Sequence, residues 1–431
     1  MTDAINTTNQ YPDKVVLHED VLRINRVLGL QNYVKGACFG GAFMGALAFL
    51  ANDIESFDLR CKKISQIFSH STISTIGIYF DEVLRKAVEQ DLDLLPFFQG
   101  IELCQGNPYP LFKRKIDAEK LLSYRKKTLF KGVEDNPLSP QRIKIALQLL
   151  LPKKLEDRKE LAVEVERING FYNEKQMIRY LTSLKGLCQD GRPIAFLLGN
   201  RGHGMSLTYD SKDKTWLFVD MNTISQRRFE EESDVVATIF QEFFKLFETT
   251  DVTELSTIIL STENHLKALK NDIQEWRSSQ DFQDLHAISK DRMPLLKSKG
   301  PAMLSAAVQT YDTQTVKALL EAGFDPNLSG GVFNPLFYAI YSGNLEHVEL
   351  LLQAGAEPNA SEGILAQIPL FHAIFCGHVD IVESLLKAGA NPHQNLEDEA
   401  FPDGMITPLQ FASFMEHQDV VRVLTKYASK L

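Results

Sequence analysis

The chain has 431 residues, with 46 lysines and arginines against 56 aspartates and glutamates, for a formal net charge of −10. Hydrophobic residues make up 44% and charged residues 24%, the balance of an ordinary globular protein. That excludes a disordered chain, a collagen-like one and a general nucleic-acid coat, and the length predicts two or three domains with real cores. The five cysteines, Cys38, Cys61, Cys104, Cys188 and Cys376, are scattered and odd in number. They predict a reducing compartment rather than a disulfide or CxxC metal framework.

The first twenty residues, MTDAINTTNQYPDKVVLHED, lack a basic start followed by an apolar core, so no secretory signal peptide is expected. The uncharged stretch Gly36 to Ala51 (GACFGGAFMGALAFLA) runs for 16 residues. It falls short of the ~20 apolar residues that a membrane-spanning helix needs, and predicts a buried helix instead. Cys38 lies at or near the first turn of that helix, where the helix dipole favours the nucleophilic thiolate. Gly36, Gly40 and Gly41 would let a substrate backbone approach closely.

A long helical insert is expected next, over about residues 80–185. Its segment 113–131 (KRKIDAEKLLSYRKKTLFK) holds eight basic and two acidic residues. It is read as a solvated basic helix in preference to one that meets phosphates on a membrane or nucleic acid. Residues 192–222 then read as three strands. Arg192 to Leu198 forms the first, and Gly204 to Tyr209 follows a turn. Thr215 to Val219 returns after the Asp210-Ser-Lys-Asp-Lys hairpin. This places His203 and Asp220 at the same end of adjacent strands. Asp220 can then hold one ring nitrogen of His203 while the other faces a nucleophile. Ser233 to Phe247 reads as an amphipathic helix, Glu254 to Leu260 as a last strand and 263–300 as a helical connector.

A cysteine before a buried helix, followed far downstream by a His-hairpin-Asp, resembles the papain-like cysteine proteases, and most closely their bacterial effector branch. The phrases that carry the resemblance are Gly202-His203-Gly204-Met205 and Asp220-Met221-Asn222. It implies an α+β papain-like cysteine protease-like domain over 1–262, with Cys38 as nucleophile, His203 as general base then acid, and Asp220 as the residue that orients His203. It further implies that an amide side chain upstream of the cysteine holds the oxyanion. Asn32 fits the spacing and Gln31 is the near alternative, with the Cys38 backbone N–H as second donor. The chain departs from the family in having Met221-Asn222-Thr223, where a Pro and an aromatic-Gly pair usually follow, and Phe39-Gly40 after the cysteine. His18, His70, His265 and His286 have no partner at ligand spacing, and Cys61, Cys104 and Cys188 read as structural. No Walker, GxGxxG or HExxH phrase occurs, so no cofactor and no metal are expected.

The C-terminal third repeats. KALLEAGFDPN (317–327), ELLLQAGAEPN (349–359) and ESLLKAGANPH (383–393) align, and each is followed by a second phrase: NPLFYAI (334–340), IPLFHAI (368–374) and TPLQFAS (407–413). Each second phrase predicts a short helix with proline in its first turn, and each first phrase a helix that ends in a left-handed glycine. The pattern resembles the ankyrin repeat, with Gly343-Asn344 and Gly377-His378 as its turns. It implies an all-α solenoid of about four units over 301–431, the first degenerate and the last a cap. Phe337 and Phe371 stand where that family usually has histidine. The last long turn carries Glu397, Asp398 and Glu399, either a contact for a basic partner or a solvated insertion.

The overall build resembles the ankyrin-repeat effectors that Legionella-type bacteria inject into host cells. On that resemblance the protein is expected to be secreted without a signal peptide and to act in the host cytoplasm or nucleus. It is expected to be a monomer with no membrane span. Either it is a thiol hydrolase recruited to a host protein by the repeats, or a scaffold that binds without turnover. Residues 301–431 hold 15 acidic and five basic residues, so the whole net charge sits there. This predicts a partner with a basic protein surface and no direct nucleic-acid binding.

Overall fold

The computed structural model describes residues 38–69, 144, 147, 153–188, 190–199, 203–220, 225–244, 253–286, 303–329, 333–360, 368–397 and 405–428. Asn32, Gln31, Cys104, His18, His70, the basic 113–131 segment, Met221-Asn222, Asp398 and Glu399 lie outside this set, as do the side chains of Cys38 and Glu397. The described residues fall into two compact units. One lies within Met1–Gly106, Lys144–Glu166 and Tyr172–Ser278, and the other comprises Arg167–Phe171 and Ser279–Leu431. The division at residue 278 falls within the connector expected over 263–300.

In the first unit, helix α1 (Cys38–Leu50) is apolar on every side, and such a helix has no face to give to water. Ala42, Phe43, Ala46, Leu47 and Leu50 are buried, as the sequence predicts. Gly45 lets its backbone lie against the sheet. A Cβ there would stand 3.1 Å from Ser206 Oγ and 3.2 Å from Val219 Cγ1. The C-terminal carbonyls of α1 are closed by cations: Arg158 Nη2 donates to Ala51 O at 3.1 Å and Lys154 Nζ to Asn52 O at 3.2 Å. Lys154, on α3 (Lys153–Asp157), also pairs with Asp53 at 2.8 Å, just before α2 (Ile54–Ser69). Positive charge at a helix C-terminus is favourable both by dipole and by hydrogen bond.

The sheet has six strands: β1 (Ala162–Tyr172), β2 (Ala195–Gly199), β3 (Gly204–Asp210), β4 (Thr215–Asp220), β5 (Ser225–Phe229) and β6 (Thr253–Thr262), in the order β1-β6-β2-β3-β4-β5. Strand β2 is antiparallel to both β3 and β6, and it reads as a continuous apolar run because both its faces are covered. The β3–β4 hairpin pairs Met205 with Asp220 and Asp210 with Thr215, and Asp210 Oδ1 accepts from Lys212 N at 3.0 Å to shape the turn.

Strand β1 falls within the span expected to be a helical insert, and corrects it. Its start, Ala162-Val-Glu-Val-Glu-Arg-Ile, alternates apolar and charged residues with the period of a strand. After it, Asn173 and Gln176 form a reciprocal capping box that starts α4 (Glu174–Leu187). Tyr180 on α4 donates to Thr257 Oγ1 of β6 at 2.8 Å and stacks on Tyr172 at 4.7 Å. Helix α5 (Glu232–Phe244) starts where Glu232 accepts from Trp216 Nε1 at 3.0 Å and pairs with Lys185 at 2.8 Å. Helices α6 (Leu266–Ser278) and α7 (Gln280–His286) occupy the first part of the expected connector.

In the second unit four helix pairs are described: α8 (303–309) with α9 (Thr313–Glu321), α10 (Pro335–Tyr341) with α11 (Leu345–Gln353), α12 (Pro369–Cys376) with α13 (Val379–Lys387), and α14 (Pro408–Phe414) with α15 (Gln418–Ala428). Prolines 335, 369 and 408 each occupy the first helical turn, as predicted. The turn inside each pair is left-handed at Tyr311, Gly343, Gly377 and Glu416, so the first and last copies hold this conformation without glycine. A short ribbon, β7 (Leu396–Glu397) with β8 (Met405–Ile406), stands between α13 and α14.

Asparagines tie successive turns together. Asn327 donates to Gly355 O at 3.0 Å and accepts from Glu357 N at 2.8 Å. Asn359 repeats the arrangement with Gly389 O at 2.9 Å and Asn391 N at 2.8 Å. Phe337 fills its position by stacking on Phe333 at 4.0 Å and meeting the edge of His372 at 4.2 Å. At the start of this unit is a buried polar knot. Asn169 donates through Nδ2 to Asp312 Oδ2 at 3.0 Å and to Thr310 Oγ1 at 2.8 Å, while Arg167 donates to Thr310 O at 2.7 Å. Asp312 in turn caps α9, accepting from Thr315 N at 3.1 Å.

Candidate functional site

His203 precedes β3 and Asp220 ends β4, and the hairpin register brings the two together. His203 Nε2 lies 2.7 Å from Asp220 Oδ1, and both side chains are buried. A carboxylate this deep needs a donor or a cation beside it. Holding Nε2 fixes the plane of the imidazole and leaves Nδ1 as the ring nitrogen that a nucleophile would have to face.

The two faces of β4 are differently occupied. Val219 faces Gly45 of α1, so by strand alternation Trp216, Phe218 and Asp220 face the other side, where Trp216 meets Glu232 of α5. Strand β5 adds Arg227 to that second face. It pairs directly with Phe218, its guanidinium lies 5.0 Å over the Phe218 ring, and Nη2 reaches to 3.8 Å from Asp220 Oδ2. Sequence reading missed both β5 and Arg227. Ser225-Gln-Arg-Arg-Phe is polar up to its last residue, so it carries no alternation that would have marked a strand.

Cys38 is the first residue of α1, as expected for a thiol at a helix N-terminus. It lies seven residues before Gly45, about 10 Å along the helix axis from the point where α1 meets β3 and β4. Gly40 and Gly41 are buried within the helix. Cys61 and Cys188 are buried, and desolvation disfavours their thiolates, pushing Cys61 upward and Cys188 up to about 12. Cys376, at the end of α12, is half-buried. Among the described residues no group of three or more His, Cys, Asp or Glu could hold a metal ion, and no helix is long and apolar enough to cross a membrane.

Comparison with protein families places the second unit. A profile of ankyrin repeats in three copies matches residues 267–362, and a single ankyrin-repeat profile matches 367–395. The C-terminal region carries ankyrin repeats. The match begins at 267, ahead of the start at 301 read from the sequence. Ankyrin repeats imply protein–protein interaction. The N-terminal region is a sheet with helices, an α+β arrangement. No curated protein matches the chain.

Proposed function

We propose that the N-terminal region is a papain-like thiol hydrolase of effector type, and that the ankyrin repeats bring it to a protein partner inside a host cell. The observation that carries the reading is the buried 2.7 Å contact between His203 Nε2 and Asp220 Oδ1. A carboxylate that orients an imidazole is the base half of a catalytic triad. In this reading Cys38 Sγ gives its proton to His203 Nδ1 and attacks an acyl carbon, while His203 later protonates the leaving group. Asn32 and the Cys38 backbone N–H stabilise the oxyanion. The bond cleaved is a peptide or isopeptide bond.

The partner half of the reading rests on charge. Asp325, Glu346, Glu349, Glu357 and Asp380 are all exposed on the repeats, which favours a basic protein surface and a binding constant that weakens with salt. A scaffold that binds through the repeats without turnover is the second reading, supported by the opposition of α1 and Asp220 across β4. Alkylation separates the two. In the full-length protein near neutral pH, iodoacetamide should modify Cys38 far faster than Cys376, and His203→Ala should abolish that advantage. Equal rates at Cys38 and Cys376 would favour the scaffold.

A further inference from the structure

We infer that Arg227 is a positioning residue for the proposed thiol chemistry, setting a cation beside the Asp220 carboxylate that holds His203 in orientation. The inference rests on the thiol-hydrolase reading, but its geometry stands apart from Cys38. Asp220 is wholly buried and shares its two oxygens: Oδ1 takes His203 Nε2 at 2.7 Å, and Oδ2 faces Arg227 Nη2 at 3.8 Å. His203, from the segment before β3, and Arg227, from β5, both lie within ion-pair reach of Asp220.

The two partners do different work. While His203 is neutral and waiting to act as base, it offers Asp220 only a hydrogen bond. Arg227 sets a fixed positive charge beside the buried carboxylate in that state, because a guanidinium stays protonated throughout the accessible pH range. At 3.8 Å the contact is Coulombic rather than a hydrogen bond, so it does not compete with His203 for Oδ1. The guanidinium is held there by its place opposite Phe218 in the β4–β5 register and by the Phe218 ring 5.0 Å beneath it.

Removing a positive charge favours every protonation of the coupled pair, so both of its apparent titration steps should move upward. The test is histidine-labelled NMR of the full-length chain. The His203 ring resonances are followed against pH in wild type, Arg227→Met and Arg227→Lys. Met keeps the packing on Phe218, and Lys keeps the charge. The expected result is an upward shift of about one pH unit in Arg227→Met, with at least half of it recovered in Arg227→Lys. A titration that is unchanged in Arg227→Met, or one displaced equally by Lys and Met, overturns the inference. Alkylation of wild-type Cys38, measured alongside, reads the thiol assignment separately. A pair that follows Arg227 beside an unreactive Cys38 overturns the thiol reading and with it the role of Arg227 in catalysis.

Discussion

In the ankyrin region each structural problem is solved close by and then solved again. Gly343 and Gly377 close the turn inside their own repeat, and Asn327 and Asn359 each reach the next turn with the same two hydrogen bonds. In the sheet region the contacts come from far apart in the chain and occur once. Tyr180 meets Thr257, Gly45 meets Ser206 and Val219, and Arg158 closes the end of α1 from the turn after α3. A repeated local solution tolerates degenerate copies, as Tyr311 and Glu416 show by taking the left-handed turn without glycine. A single long-range solution has no second copy to fall back on.

The largest effect expected from this contrast is acid sensitivity of the repeats. Burial lowers the pKa of His347 to about 4 and that of His372 to about 3, both below the unfolded value of 6.5. Between those limits the unfolded chain binds protons that the folded one does not. Stability is therefore full above about pH 6.5 and is lost as pH falls, by about 3 kcal/mol for each histidine at pH 4. Hydrogen exchange read by mass spectrometry on the full-length chain should show α10 to α13 losing protection between pH 6.5 and 4. Substituting Phe for His372 should flatten that dependence.

Two glycines sharpen the comparison next. Gly377 has φ +74°, and a Cβ there would stand 2.6 Å from the His417 ring. Gly377→Ala should cost about 2–4 kcal/mol, from left-handed strain and the displaced imidazole together. Gly45→Val should cost about 1–3 kcal/mol by forcing α1 away from β3 and β4. The damage should differ in reach. Exchange should rise in the helices around Gly377 alone, but across the whole sheet for the Gly45 variant. Asn359→Ala is the smallest of the set, at about 1 kcal/mol, because its two hydrogen bonds lie in a partly exposed turn. Equal loss from Asn327→Ala would establish that the ladder is made of equivalent rungs.

The same contrast explains what the sequence made legible. Proline at 335, 369 and 408 and the recurring glycines announced the repeats because the pattern is local and periodic. The His203–Asp220 pair was legible because one short hairpin sets its register. Strand β1 was missed when a stretch between two helical spans was read as one insert, although Val163-Glu-Val-Glu alternates. Arg227 and the knot of Asn169 with Asp312 were not legible, because the partners of each are fixed by tertiary packing rather than by spacing. Phe337 and Phe371 stand where the ankyrin pattern usually has histidine. Their rings pack on aromatic neighbours, Phe371 meeting Phe411 at 5.5 Å.

The claim on which the rest depends is that the thiol of Cys38 lies beside the imidazole of His203. A bifunctional alkylator that spans a thiol and an imidazole, 1,3-dibromoacetone, tests it directly in the full-length protein, with the bridge located by peptide mass spectrometry. The predicted result is a Cys38–His203 cross-link in wild type that is absent from His203→Ala. Cys38 modified at one end only, or bridged to a different residue, would contradict it.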